Sequence, residues 1–135
     1  MITFALAKTL WAAYDTQTAA LYKVWRDGVE FDGAVYTTRH GPQPASEGGG
    51  YIVNETTTPW IVRHGGREYT PTVQYLGHRF EDKRAAIRYA LLFGDGQRVE
   101  IEEWPEASTA DDGRARFFRR FDILKNDANA EVVLT

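Results

Sequence analysis

Three histidines, two closely spaced glutamates, two serines and a run of three glycines are the residues of this 135-residue chain whose types could carry chemistry. His40, His64 and His78 could offer imidazole to zinc, copper or iron, but their spacing matches no ligand motif. His64 precedes two glycines in an expected turn, where a solvated ring is ordinary. His78 falls in an expected strand, where a hydrogen-bonding neighbour suffices. No metal and no cofactor is expected. Glu100 and Glu102 share one strand face with backbones about 7 Å apart, near the carboxyl separation that glycosidases use. Arg98, and Arg88 across the expected strand pair, make that same face a salt-bridged surface, and no desolvating pocket is evident to raise either pKa. Ser46 and Ser108, the only serines, lie outside any Gly-x-Ser-x-Gly elbow, and Gly48-Gly49-Gly50 lacks the Lys-Ser/Thr that closes a phosphate cradle. No acid–base, nucleophilic or metal constellation assembles, which argues against an enzyme.

What is left is aromatic surface with planar polar neighbours. Trp25 precedes Arg26-Asp27, Tyr36 precedes Arg39-His40, Gln43 sits between two prolines, Tyr51 follows the glycines, Trp60 follows Pro59, and Trp104 precedes Pro105. Rings flanked by such groups suit a sugar, because a pyranose stacks its C–H groups on a π-face while its hydroxyls take directional hydrogen bonds. The residues expected to bind are Trp25, Tyr36, His40, Gln43 and Trp60. The two tryptophans and Tyr36 would stack; His40 and Gln43 would hydrogen-bond hydroxyls. Against this stands the ordinary fate of a large ring, which is to pack in a core; Trp60 and Tyr51, beside proline and glycine, are the rings expected to escape it. The expected function is a noncatalytic carbohydrate-binding module with a polysaccharide or oligosaccharide partner. The alternative is a structural interdomain module that takes no small ligand.

The elements that must position these residues read as strands. Eighteen aromatic residues in 135, with many Thr and Val, favour short strands over helices. Leu10 to Tyr14 and Ala19 to Trp25 flank Asp15-Thr16-Gln17-Thr18 as a hairpin. Pairing Asp15 with Thr18 sets Tyr14 against Ala19 and Trp11 against Tyr22. Ala85 to Phe93 and Gln97 to Glu103 flank Gly94-Asp95-Gly96. Pairing Phe93 with Gln97 then sets Leu91 against Val99, Tyr89 against Ile101 and Arg88 against Glu102, so that Ile87, Tyr89, Leu91, Val99 and Ile101 share a core face. A helix from Arg84 to Leu92 competes with the first of those strands.

A third hairpin is expected around His64-Gly65-Gly66, with a strand from Thr72 to Phe80 and closing strands at Ala115 to Ile123 and Ala130 to Thr135. Gly28 to Gly33 reads as a turn-rich bridge, Ala34 to Thr38 as a strand, Arg39 to Gly50 as a long irregular loop and Glu106 to Gly113 as a polar loop. The pattern predicts an all-β fold: one antiparallel β-sandwich, jelly-roll-like, with little or no helix, spanning residues 1–135 as a single domain.

Charge and composition narrow the partners. Sixteen basic residues against nineteen acidic ones, a net charge of −3, leave no basic footprint for nucleic acid. No apolar run reaches the roughly 18 residues of a membrane span, and the N-terminal residues lack signal-peptide character. Zero cysteines exclude disulfides, thiolate metal sites and covalent c-type haem attachment.

The phrases Leu10-Trp11-Ala12-Ala13-Tyr14-Asp15-Thr16-Gln17, Leu21-Tyr22-Lys23-Val24-Trp25, Gly28 to Gly33, Val35-Tyr36-Thr37-Thr38 and His40-Gly41-Pro42-Gln43-Pro44 resemble a module of large secreted or periplasmic bacterial multidomain proteins. Those proteins also carry c-type cytochrome, sugar-dehydrogenase-like or trehalose-utilisation-like domains. The likeness covers about the first third of the chain, and Tyr75 to Tyr89 more loosely. It brings no catalytic motif. It implies a periplasmic or secreted address, excision from a larger parent, neighbouring domains as partners and a sugar-related or redox setting.

Overall fold

A computed structural model of the chain describes residues 1–30, 44–54, 56 and 58–135, with the backbone alone at Tyr51. The fold is all-β and antiparallel, with several sheets packed as a β-sandwich and no helix among the described residues. The strands are β1 (Ile2–Ala7), β2 (Leu10–Asp15), β3 (Ala20–Arg26), β4 (Gly28–Glu30), β5 (Ala45–Glu47), β6 (Gly50–Val53), β7 (Trp60–His64), β8 (Arg67–Tyr69), β9 (Thr72–Glu81), β10 (Arg84–Phe93), β11 (Gln97–Thr109), β12 (Ala115–Asn126) and β13 (Glu131–Leu134). They form a sheet in the order β1-β2-β3-β6, a second in the order β12-β11-β10-β9, a three-stranded sheet β13-β7-β8 and a ribbon β4-β5.

The β10–β11 hairpin has the register expected from its turn: Phe93 opposes Gln97, Leu91 opposes Val99, Tyr89 opposes Ile101 and Arg88 opposes Glu102. Arg84 to Leu92 is strand, so the helical alternative falls. Good helix formers lose here because a β10 strand has partners on both sides and buries Ile87, Tyr89 and Leu91 almost completely. Each such side chain contributes about 1.5 to 3 kcal/mol on burial. Facing them are Phe4, Leu10, Ala12, Tyr14, Leu21 and Val24 of the first sheet, with Trp60 and Val62 of β7 in the same core.

Other expectations are corrected by pairing that only the fold supplies. In the first hairpin Asp15 pairs with Ala20 and Tyr14 with Leu21. A bulge then leaves Tyr22 with no opposite residue on β2, and Trp11 opposes Trp25 rather than Tyr22. The turn therefore holds four residues, ending on Ala19 at a φ of 50°. His64 pairs with Arg67, so the β7–β8 turn is Gly65-Gly66 alone. Both take positive φ, 57° and 72°, as a two-residue hairpin turn of the right twist demands. Gly28 to Glu30 is strand rather than bridge, because it pairs with Ala45 to Glu47 inside the stretch expected to be irregular. β11 continues through Ala107 to Thr109, where a loop was expected, because β12 pairs with it residue by residue to Ala115. The expected strand Ala34 to Thr38 lies outside the described residues.

The middle of the core is polar. Glu103 of β11 has no exposed surface, and Arg119 of β12 donates to it from Nε at 2.5 Å and from a terminal nitrogen at 3.1 Å. Tyr89 donates its hydroxyl to the same carboxylate at 2.9 Å. Tyr14 lies close by on the opposite sheet, its hydroxyl short of hydrogen-bond geometry to either charge. Burial, and then the negative charge of Glu103, push both tyrosine pKa values far up. Burial opposes the charge on Arg119, yet the Glu103 hydrogen bonds and charge hold its pKa above the ordinary guanidinium value. The Arg119 guanidinium also lies over the rings of Phe121, at 5.0 Å, and Tyr14, at 5.8 Å.

Candidate functional site

The outward face of the first sheet carries a groove of about 630 Å³. Strand alternation builds it. Leu10, Ala12 and Tyr14 of β2 point into the core, so Trp11 and Ala13 point out; Trp25, opposite Trp11, does the same. The Tyr22 bulge breaks the alternation on β3, so that Tyr22 and Lys23 both line the groove. At Asp27 the chain turns with a φ of 81°, and the β4–β5 ribbon then runs alongside, adding Val29, Ala45 and Ser46 to the lining.

Polar contacts pin the ribbon down. The Trp25 indole N–H donates to the Gly28 carbonyl at 2.7 Å, and the Lys23 ammonium donates to the Ser46 hydroxyl. The same ammonium lies 5.7 Å from the Trp25 ring centre. Trp11 and Trp25 are near parallel, 15° apart in plane with centroids 6.3 Å apart, an offset arrangement. Trp25 is left only 4% exposed, whereas Tyr22 is 42% exposed and Trp11 partly so. The Trp11 indole N–H is buried and has no hydrogen-bond partner among the described residues. A donor in that condition is costly unless something accepts from it.

The structure separates the two expected tryptophans. Trp25 is in the groove, wedged beneath its neighbours rather than presenting a free face. Trp60, expected to stand exposed beside Pro59, is 4% exposed and belongs to the core. Its ring packs on Tyr89 at 5.6 Å and edge-on to Phe121 at 5.8 Å, and its N–H reaches the Ala19 carbonyl at 3.4 Å. The reason is its register: Trp60 opposes Leu134 on β13 and shares the inward side of β7 with Val62. It borders a separate recess of about 220 Å³ with Thr18, Pro59, Thr70 and Pro71. Tyr36, His40, Gln43 and the Tyr51 side chain lie outside the described residues. Sequence reasoning missed Trp11, Tyr22, Lys23 and Ser46 as groove residues. The outward parity of Trp11, between Leu10 and Ala12, is the signal the sequence offers.

The remaining chemistry is accounted for by pairing. Glu102 is buried, held by Arg79 through two hydrogen bonds at 2.8 and 2.9 Å with Arg88 at 3.7 Å, and Arg98 pairs with Glu100 at 2.8 Å. The Arg79 hydrogen bond holds the Glu102 carboxyl below its ordinary pKa despite burial, the reverse of what a general acid needs. Beside it Trp104 lies 2% exposed under Arg79, Arg84 and Arg120, at 4.8, 5.3 and 5.0 Å, and donates to Asp122 at 3.0 Å. The His64 ring meets the edge of Phe93, and His78 hydrogen-bonds Tyr75 at 2.9 Å. Among the described residues no three His, Asp or Glu side chains are placed to hold a metal. No protein-family model matches the chain, and no curated protein or solved structure matches it.

Proposed function

We propose that the domain is a noncatalytic carbohydrate-binding module whose site is the Trp11–Trp25 groove. The observation that carries this reading is a groove lined by three aromatic side chains, Trp11, Tyr22 and Trp25, with an ammonium and a serine hydroxyl among them. Rings supply the stacking surface and the polar groups supply direction, which is the division of labour a pyranose requires. The resemblance to modules of secreted or periplasmic multidomain proteins supports the same reading and implies a larger extracytoplasmic parent chain. The test is affinity electrophoresis of the domain through gels containing neutral and acidic polysaccharides, with Trp11→Ala run beside it. Retardation by at least one polymer, lost in a Trp11→Ala variant that stays folded, is the expected result. Passage of the folded domain unretarded through every gel overturns the proposal.

A second reading, a structural module that packs on neighbouring domains, draws on the edge strands of the second sheet. Phe80 of β9 is 71% exposed, and Ile123 and Leu124 of β12 are 51% and 44% exposed. Apolar side chains of this size on open strand edges suit a covering neighbour. This reading expects the thermal midpoint to rise when the domain is joined to its neighbour, with no response to sugars.

A further inference from the structure

Charge determines which class of ligand the groove complements. Among the described residues Lys23 is the only charged side chain lining it; beside Met1, the others are aromatic, aliphatic or hydroxyl-bearing. The ammonium is held in place rather than free to swing, because Ser46 accepts one of its three donors and the Trp25 ring lies beneath it. Among the described residues it forms no ion pair, whereas Arg63, Arg79, Arg98 and Arg119 each sit against a carboxylate. A fixed cation beside aromatic rings complements a ligand that has a sugar face and an anionic group on it.

We propose that the groove selects acidic polysaccharides, Lys23 pairing with the carboxylate of a uronic acid whose ring lies on Trp11 or Tyr22. This rests on the carbohydrate reading above and adds the ligand class. The chain's net charge of −3 opposes a polyanion at long range, but that repulsion is screened beyond about 8 Å at physiological salt. A charge-assisted hydrogen bond inside the groove is short-ranged and survives the screening. Selectivity therefore comes from this one contact rather than from the field of the whole domain.

The experiment compares polymers that differ only in charge. Polygalacturonate and alginate are titrated against the intact chain at about 0.15 M salt, beside their methyl esters, with neutral xylan and glucan as further probes. The expected result is binding to the free acids that weakens about tenfold on esterification and about tenfold in Lys23→Gln, with Lys23→Arg retaining most of it. Circular dichroism and the urea midpoint confirm that both variants are folded. Equal binding to acid and ester, or binding of neutral polymers alone, overturns the acidic selectivity and leaves the carbohydrate groove standing. Binding to none of the polymers removes both proposals together.

Discussion

Glu103 and Arg119 meet through two hydrogen bonds at a point in the sandwich where Glu103 has no exposed surface at all. The pair spans β11 and β12, and Tyr89 closes the remaining side of the carboxylate. Desolvating both ions costs several kcal/mol, and their mutual geometry offsets that cost only while both are present. Glu103→Ala or Arg119→Ala is thus expected to lower unfolding free energy by about 3 to 5 kcal/mol. Replacing Glu103 with Leu and Arg119 with Met together should recover most of the loss. Urea titration of the three variants checks this; single variants that lose less than the double would contradict it.

The two core tyrosines should respond differently to losing a hydroxyl. Tyr89→Phe removes a hydrogen bond to a buried carboxylate and is expected to cost about 2 kcal/mol. Tyr14→Phe removes a buried hydroxyl that makes no hydrogen bond among the described residues, so the change should be near neutral or slightly stabilising. Thermal midpoints of the pair, measured under one buffer, are sufficient; equal losses would show that Tyr14 is bonded in solution.

Substitution at two tryptophans should separate folding from binding. Trp60→Ala empties a site packed against Tyr89 and Phe121 and is expected to cost about 3 to 5 kcal/mol, enough to unfold a marginal domain. Trp11→Ala removes a partly exposed groove ring. It should leave the fold intact while weakening polysaccharide retardation tenfold or more, the scale of a central binding residue. A stable Trp60→Ala variant with selectively lost binding would reverse these assignments.

Acid should weaken the outer face through Glu102. Its folded pKa lies below the ordinary 4.5 because Arg79 holds the ionised form, so the unfolded chain takes up the proton more readily. The stabilisation is therefore complete above the ordinary carboxylate range and is lost as pH falls through the folded pKa. Urea midpoints followed from neutral pH to pH 3 should decline more steeply in the native protein than in Glu102→Gln. Parallel curves would dissociate Glu102 from acid sensitivity.

The β10–β11 register was legible because everything that sets it is local. Gly94-Asp95-Gly96 fixes the crossing, and alternation on both sides then determines every pair from Phe93–Gln97 to Arg88–Glu102. The first hairpin had the same local signals of strand and turn, but its turn is four residues long and a bulge follows. Each irregularity shifts the register, and neither has a marker in residue type. That shift is what concealed the Trp11–Trp25 pair, and with it the groove.

By itself the amino-acid sequence determined the all-β class and the core face of β10 and β11, because period-two alternation of apolar residues has only one way to bury its face. The absence of disulfides followed from the lack of cysteine. Tertiary structure alone decided which rings are sealed and which line a recess. Trp60 and Trp11 are both strand tryptophans, and their fates differ because one strand face meets the opposite sheet and the other meets the β4–β5 ribbon. It likewise decided that Glu103, outwardly one more acid in a Glu-rich strand, is buried. Arg119 lies sixteen residues later on β12 and Tyr89 fourteen residues earlier on β10, and a buried charge is tolerable only where the fold brings its partners to it.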